Sequence, residues 1–359
     1  MTIIQNPWKR LLTIIIISII TVTSILAGYI FKIYYSPIKN SDVENSSIIH
    51  IPRGSTFDSV TSSIREKGLI PYPRLYDYLA KHLKVYSRIQ TGEFQIQHSW
   101  NTFELLKFLI SGKSLRHRLT IPEGKNFAEI TELLIRADLA DKATMLSLKH
   151  DPELLRKTGV PEATSLEGFL FPETYFFSRA ENEKQILSAM ILQYRKVFNN
   201  DYRKRAKEIG MVEYEVLKLA SIVEKETGLE TDRPMIASVF HNRLKRKMRL
   251  DSDPTVIYGL KNFNGNLTRK HLRTPTPYNT YKLYGLPPTP ISNPGKASLH
   301  SVLYPKKNKY LYFVARGDGS SKFSKTLKEH NKAVWFFQKV RKNRQAMRLK
   351  RKKTSQKKL

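Results

Sequence analysis

Leu11 to Phe31 (LLTIIIISIITVTSILAGYIF) runs for 21 positions without a charged residue. Wound as a helix at about 1.5 Å per residue, it spans about 30 Å, the hydrocarbon thickness of a bilayer. Its Ile, Val and Thr content suits water poorly. In lipid, a helix pairs every backbone group within the segment itself. Lys9 and Arg10 precede the run, and Lys32 and Lys39 follow it, so flanking charge orients it only weakly. The short leading segment places the N-terminus in the cytoplasm and the bulk of the chain outside. The run is longer than the apolar stretch of a cleaved signal peptide. The expectation is therefore an uncleaved single-pass anchor in the cytoplasmic (inner) membrane, with the working part periplasmic or otherwise extracytoplasmic.

The 359 residues include no cysteine, which excludes a disulfide framework, an iron–sulfur centre and a thiol nucleophile. Lys and Arg number 62 against 31 Asp and Glu, a net charge of +31. Residues 339–359 hold 11 of those cations and no acid, but the excess persists without them. Such a balance suits a polyanionic partner: nucleic acid, anionic lipid or an acidic wall polymer. Export argues against nucleic acid.

Segment order gives a cytoplasmic tail (1–10), the transmembrane helix (11–31) and a polar linker (32–47). A small α/β module (48–118), a larger mixed α+β domain (119–338) and a basic tail (339–359) follow. In the module, 48–52 and 91–96 read as strands. Residues 55–67 (N-capped by Ser55), 74–83 and 101–111 read as helices, the last with an Asn101–Glu104 capping box. IPRGSTFDSVTSSI and IPEGKNFAEITELL repeat a strand–turn–helix pattern. Beyond it, 127–163 is helical and charged, and 182–209 reads as one long helix. Residues 212–227 and 232–247 are two more helices. The stretch 248–300, rich in Pro, Gly, Asn and Thr, reads as a long functional loop. A strand at 309–315, a turn at 316–320 and a helix at 324–340 close the pattern.

No zinc-type HExxH, P-loop, GxSxG elbow or Rossmann fingerprint is present, and the nine histidines lack metal-ligand spacing. The expectation is no metal and no cofactor. Carboxylates and aromatics remain, the equipment of glycan-cleaving enzymes. On a helical wheel, Val216, Leu217, Leu219, Ala220, Ile222 and Val223 form one apolar face. Glu224 and Glu226 lie on its opposite borders, where partial desolvation raises a carboxyl toward the range of a general acid. The wheel does not choose between them.

Six stretches are similar to the YceG-like family of endolytic murein transglycosylases: EGFLFPETYFF (167–177), LASIVEKET (219–227), ASVFHNRL (237–244), MRLDSDPTVIYG (248–259), TPYNTYKLYGLPPTPISNPGKASL (276–299) and YLYFVARGDGSSKFSKTLKEHN (310–331). They keep the family's order over the last half of the chain. The resemblance implies a membrane-anchored lyase that cuts nascent peptidoglycan between N-acetylmuramic acid and N-acetylglucosamine and leaves 1,6-anhydro ends. It implies a LysM-like character for 48–118 and a catalytic domain at 119–338. Peptidoglycan synthases are the implied protein partners, strand termination the implied role, and the first Glu of SIVEKET, Glu224, the implied catalytic acid. Substrate contacts are expected from Asn242, Arg243, Asp253, Thr255, Tyr258, Tyr278, Asn279, Thr280 and Tyr281. Glu173, Glu226, Asp251 and Asp253 are available as a second acid, Glu173 and Glu226 also as substrate contacts. The alternative is a non-catalytic wall-binding scaffold that recruits synthases.

Overall fold

The computed structural model describes residues 7–39, 45–52, 54–261 and 263–340. The basic tail from 341 onward lies outside them. Helix α1 (Pro7–Tyr35) runs unbroken through the apolar stretch, and its span is not buried by the rest of the described chain. It is long and apolar enough to cross a membrane. Thr21 and Thr23 donate their hydroxyls to the carbonyls of Ile17 and Ile19 at 2.8 and 2.9 Å, which leaves neither unpaired among apolar neighbours.

Two compact units follow from the contacts: residues through His117 together with Phe176–Glu181, and Arg118–Tyr175 together with the chain from Asn182 on. In the first, β1 (Ser46–Ile51) pairs antiparallel with β2 (Gly92–Gln97), from Ser46↔Gln97 to Ile51↔Gly92. Alternation puts Ile49, Ile51, Phe94 and Ile96 on one face. Against it pack Phe57, Val60 and Ile64 of α2 (Phe57–Glu66), Tyr76 and Leu79 of α3 (Pro73–His82), and Leu105, Leu106 and Leu109 of α4 (Thr102–Ser111). Each such side chain contributes about 1.5–3 kcal/mol by leaving water. The Asn101–Glu104 capping box forms as expected. The cap of α2 is Thr56, not Ser55: its Oγ1 accepts the Ser59 amide at 3.3 Å. The return segment Phe176–Glu181, which no single cut at 118 expresses, is held by Ser178 on Ser114 (2.7 Å), Arg179 on Glu93 (2.7 Å) and Glu181 on Arg116 (3.1 Å).

The repeated pattern is visible in the backbone. Gly54 and Gly124, at the same place in the two copies, have φ of +75° and +74°. That left-handed turn strains any residue with a Cβ. Each turn leads into a capped helix, α2 and then α5 (Phe127–Arg136), whose box is Asn126 with Glu129.

The strand β3 (His117–Thr120) pairs with β4 (Thr174–Phe177). Between them, α5, α6 (Lys142–Leu148) and α7 (Pro152–Thr158) fill the charged helical region. The expected long helix over 182–209 is two, α8 (Glu183–Val197) and α9 (Asn200–Glu208). Phe198 leaves helical geometry at ψ 68°, and the Asn199 side chain caps the Tyr202 amide at 3.1 Å, so an Asn-rich junction supplies a stop and a start. Helix α10 (Glu213–Glu226) is buried along most of its length, and α11 (Arg233–Lys245) packs beside it.

The stretch 248–300 is not one loop. It holds α12 (Asp253–Tyr258), α13 (Arg269–Arg273) and α14 (Lys296–Leu303), with α14 against α10. The strands β5 (Tyr312–Ala315) and β6 (Ser321–Ser324) form a hairpin. The last helix, α15 (Leu327–Val334), is shorter than expected and continues as a π-helical turn over Trp335–Val340. The fold class is α+β, with one apolar N-terminal helix.

Candidate active site

Side chains advance about 100° per residue along a helix, so Glu224 and Glu226 leave the end of α10 about 200° apart. They meet different surroundings. Glu224 Oε2 accepts the Gly295 amide at 2.9 Å, and its Oε1 accepts from Arg233 Nη2 at 3.4 Å. The same guanidinium reaches Glu123 Oε2 at 3.7 Å. The Glu224 side chain is only 5% exposed. The segment that brings Gly295 here runs along α10: the Ile291 amide donates to Ser221 Oγ (3.0 Å) and Ser292 Oγ to the Ser221 carbonyl (3.1 Å). A Cβ on Gly295 would overlap the Glu123 carboxylate, a half-exposed side chain that would have to swing aside. Burial, and then the neighbouring Glu224 carboxylate, raise the pKa of Glu123.

Glu226 faces a pocket of about 510 Å³. Arg243, Asp251, Asp253, Tyr281, Tyr312 and His330 share its lining. The Ser252 hydroxyl donates to Glu226 Oε1. Burial pushes the Glu226 carboxyl up to about 7; the Ser252 bond and Arg243 pull it down, and Asp253 pushes it further up. Tyr281 donates its phenol to Asp253 Oδ1 at 2.7 Å. Asp251, also raised by burial, sits at φ +46°, a left-handed conformation that Asp tolerates better than most. Two other cavities, of about 540 and 700 Å³, each hold a single carboxylate, Glu329 and Glu215 respectively. Of these three, only the Glu226 pocket groups three carboxylates with a guanidinium and ring faces, which sets proton chemistry beside sugar-stacking surfaces.

Of the residues singled out in the sequence, Glu226, Arg243, Asp251, Asp253 and Tyr281 come together here. Thr255 and Thr280 lie behind the wall, bonded to each other at 2.8 Å and fully buried. The others serve elsewhere. Asn242 donates to the Tyr310 carbonyl (2.9 Å), and Asn279, buried, donates to the carbonyls of Leu272 (3.1 Å) and Thr274 (2.7 Å). Tyr258 donates to Glu167 at 2.8 Å, and Tyr278 pairs with Thr289 at 2.9 Å. Glu173 is exposed and accepts its neighbour's amide. Among the described residues no group of three or more His, Asp or Glu is placed to hold a metal ion.

The profile of the YceG-like family matches residues 49–335. The chain belongs to the YceG-like family. It is similar to the endolytic murein transglycosylase of Bacillus subtilis (strain 168), at 33% identity over 307 residues, covering 81% of this chain and 85% of that protein. It is also similar to the endolytic murein transglycosylase of Streptococcus pneumoniae serotype 2 (strain D39), at 27% identity over 317 residues, 80% of this chain and 57% of that one. A crystal structure of a yceG-like protein from Listeria monocytogenes superposes with a TM-score of 0.56 at 33% identity, covering 81% of this chain and all of that one.

In this YceG-like chain, sequence reasoning missed Ser252, Tyr312 and His330 at the pocket and Glu123 and Arg233 beside Glu224. Tyr312 and His330 belong to the 310–331 stretch, whose resemblance was a signal without a role. Glu123 sits in the IPEG turn, 101 positions before Glu224, and nothing local marks it as that residue's neighbour.

Proposed function

We propose that this chain is a membrane-anchored endolytic lytic transglycosylase of peptidoglycan, and that Glu226 is its acid and base. The first Glu of SIVEKET, Glu224, is the residue the family resemblance favours. The surroundings argue for the second. Both oxygens of Glu224 are engaged by the Gly295 amide and Arg233. Glu226 faces an open pocket with a carboxyl raised to about 7, and that is the observation that carries the reading.

A carboxyl of that pKa is about half protonated near neutral pH, which suits one group acting in both directions. Protonated Glu226 donates to the glycosidic oxygen as the bond from muramic acid C1 breaks. The C1 cation that develops lies in a pocket holding the Asp253 carboxylate, whose charge stabilises it. Glu226, now a carboxylate, takes the proton of the muramyl 6-hydroxyl, and that oxygen closes on C1. The proton count returns to its start, and water does not enter the product. A hydrolase would instead use a second carboxylate to deliver water to C1.

In this reading α1 anchors the chain with its N-terminus in the cytoplasm, holding the pocket near newly made glycan outside the inner membrane. Cleavage there terminates strand elongation beside the synthases that extend the strand. The 48–118 module supplies LysM-like contact with glycan. The test is digestion of purified peptidoglycan in H₂¹⁸O. The expected products carry 1,6-anhydro ends without ¹⁸O. Label at new reducing ends would make the enzyme a hydrolase, and no new ends at all would favour the scaffold reading.

A further inference from the structure

We infer that Glu224 is a positioning residue for Glu226: gripped by Arg233 and the Gly295 amide, it fixes the last turn of α10 so that the Glu226 carboxyl faces the pocket. The inference rests on Glu226 being the acid and adds a role for its neighbour.

Glu226 is the last residue of α10, and the chain beyond it is open: Gly228 through Thr231 are exposed, and nothing lies within 4 Å of where a Gly228 Cβ would be. The last four carbonyls of a helix have no partner within it, so an untethered last turn frays. Here the turn is tied to its surroundings on the side away from the pocket. Glu224 takes the Gly295 amide at 2.9 Å and Arg233 at 3.4 Å, and Lys225 Nζ donates to the Gly124 carbonyl at 3.2 Å. The partners are themselves anchored. The Gly124 amide donates to the Asn293 carbonyl at 2.9 Å, and the Asn293 amide to the Lys125 carbonyl at 2.8 Å. Arg233 opens α11, and its side chain is 11% exposed. A charged hydrogen bond held out of water is worth more than one on the surface.

The groups facing Glu224 are Arg233 from α11, Glu123 from the turn before α5 and the Gly295 amide before α14. Those facing Glu226 are Ser252, Asp251 and Asp253 around the start of α12, Arg243 of α11, Tyr281, Tyr312 of β5, and His330 of α15. The two sets share no side chain. Glu224 therefore acts on Glu226 through the helix, by holding it in the site where burial raises its pKa. Loss of the grip lets the last turn fray, hydrates Glu226 and moves its pKa down toward 4.5.

The test uses the full chain in detergent with glycan strands as substrate, and reads kcat, KM and the pH profile of E224A, E224Q, R233M and E226Q beside a thermal melt. E224A is expected to lose about tenfold in kcat with KM nearly unchanged, and its alkaline limb should fall by about one pH unit. E224Q, which keeps a carbonyl for the Gly295 amide, should recover most of that loss. R233M should shift the limb in the same direction by less, and it serves where E224A does not fold. If E226Q is inactive while E224A and R233M both keep the wild-type limb and kcat, the positioning role is overturned and Glu226 stands as the acid. If E226Q is fully active, the catalytic reading itself falls. A wild-type limb with a lowered melting point would make the cluster a stability feature and also overturn the role.

Discussion

The Ser252 hydroxyl donates to the carboxylate of Glu226 across the gap between the start of α12 and the end of α10. This bond favours the ionised form and opposes burial, so it brings down a carboxyl that would otherwise sit higher than about 7. Ser252→Ala should therefore raise the apparent acid pKa and move the alkaline limb of the cleavage profile up by about one unit, equivalent to ~1.4 kcal/mol. The check is kcat/KM against pH on glycan strands. A limb that stays in place would remove Ser252 from the tuning of Glu226.

A second buried carboxyl predicts a stability effect. Glu167 is 1% exposed, accepts the Phe127 amide at 2.9 Å and the Tyr258 phenol at 2.8 Å, and is pushed by burial up to about 7. Its folded pKa lies above its ordinary value of 4.5, so the folded state binds the extra proton between those two values. Its contribution is full below about pH 4.5 and is lost as pH rises through 7, with a slope of at most ~1.4 kcal/mol per pH unit. Denaturant midpoints from pH 5 to 8 should fall with pH for the wild type and fall less steeply for Glu167→Gln. Equal slopes would contradict the assignment.

The paired turn glycines carry the same backbone strain without crowding. Gly54 and Gly124 share a left-handed φ, but a Cβ at Gly54 meets nothing within 4 Å, whereas one at Gly124 touches Glu224 Cγ at 3.4 Å. Gly54→Ala should cost about 1 kcal/mol from backbone strain alone. Gly124→Ala should cost about as much and leave kcat nearly unchanged, because its added methyl meets Glu224 Cγ only at ordinary contact distance. Thermal melts and cleavage rates of the two variants check this pair.

The proposed anchor has its own test. An Arg in place of Ile20, near the middle of the apolar run, costs about 2.5–3.5 kcal/mol at the centre of a membrane helix. Membrane fractionation should show the wild type in the bilayer pellet and the Ile20→Arg chain partly released. Equal partitioning would remove α1 as the anchor.

What the sequence made legible follows from which interactions are local. The apolar run of α1, the alternation in β1 and β2 and the Asn101–Glu104 box depend on residues within a few positions of one another, and all were found where expected. The break at Phe198–Asn199 is also local, but an Asn-rich junction inside a helical period does not by itself show whether the helix stops there. The stretch 248–300 hid α12, α13 and α14, because short helices among prolines have too few turns to show a period. The choice between Glu224 and Glu226 was illegible in principle. A wheel gives the direction of each side chain but not what lies there, and Ser252, Asp253, Arg233 and Gly295 arrive from other segments. Tyr258 and Asn279 looked like sugar contacts for the same reason: a polar side chain in a loop does not reveal that its bond is to Glu167 or to a carbonyl of α13.

The central claim is met most directly by digesting peptidoglycan with the wild type, Glu226→Gln and Glu224→Gln, each first shown to be folded, and measuring 1,6-anhydro muropeptides by mass spectrometry. The account predicts that Glu226→Gln yields none while Glu224→Gln still produces them at a reduced rate. Anhydro products from Glu226→Gln, together with none from Glu224→Gln, would place the acid on the other side of the helix and contradict it.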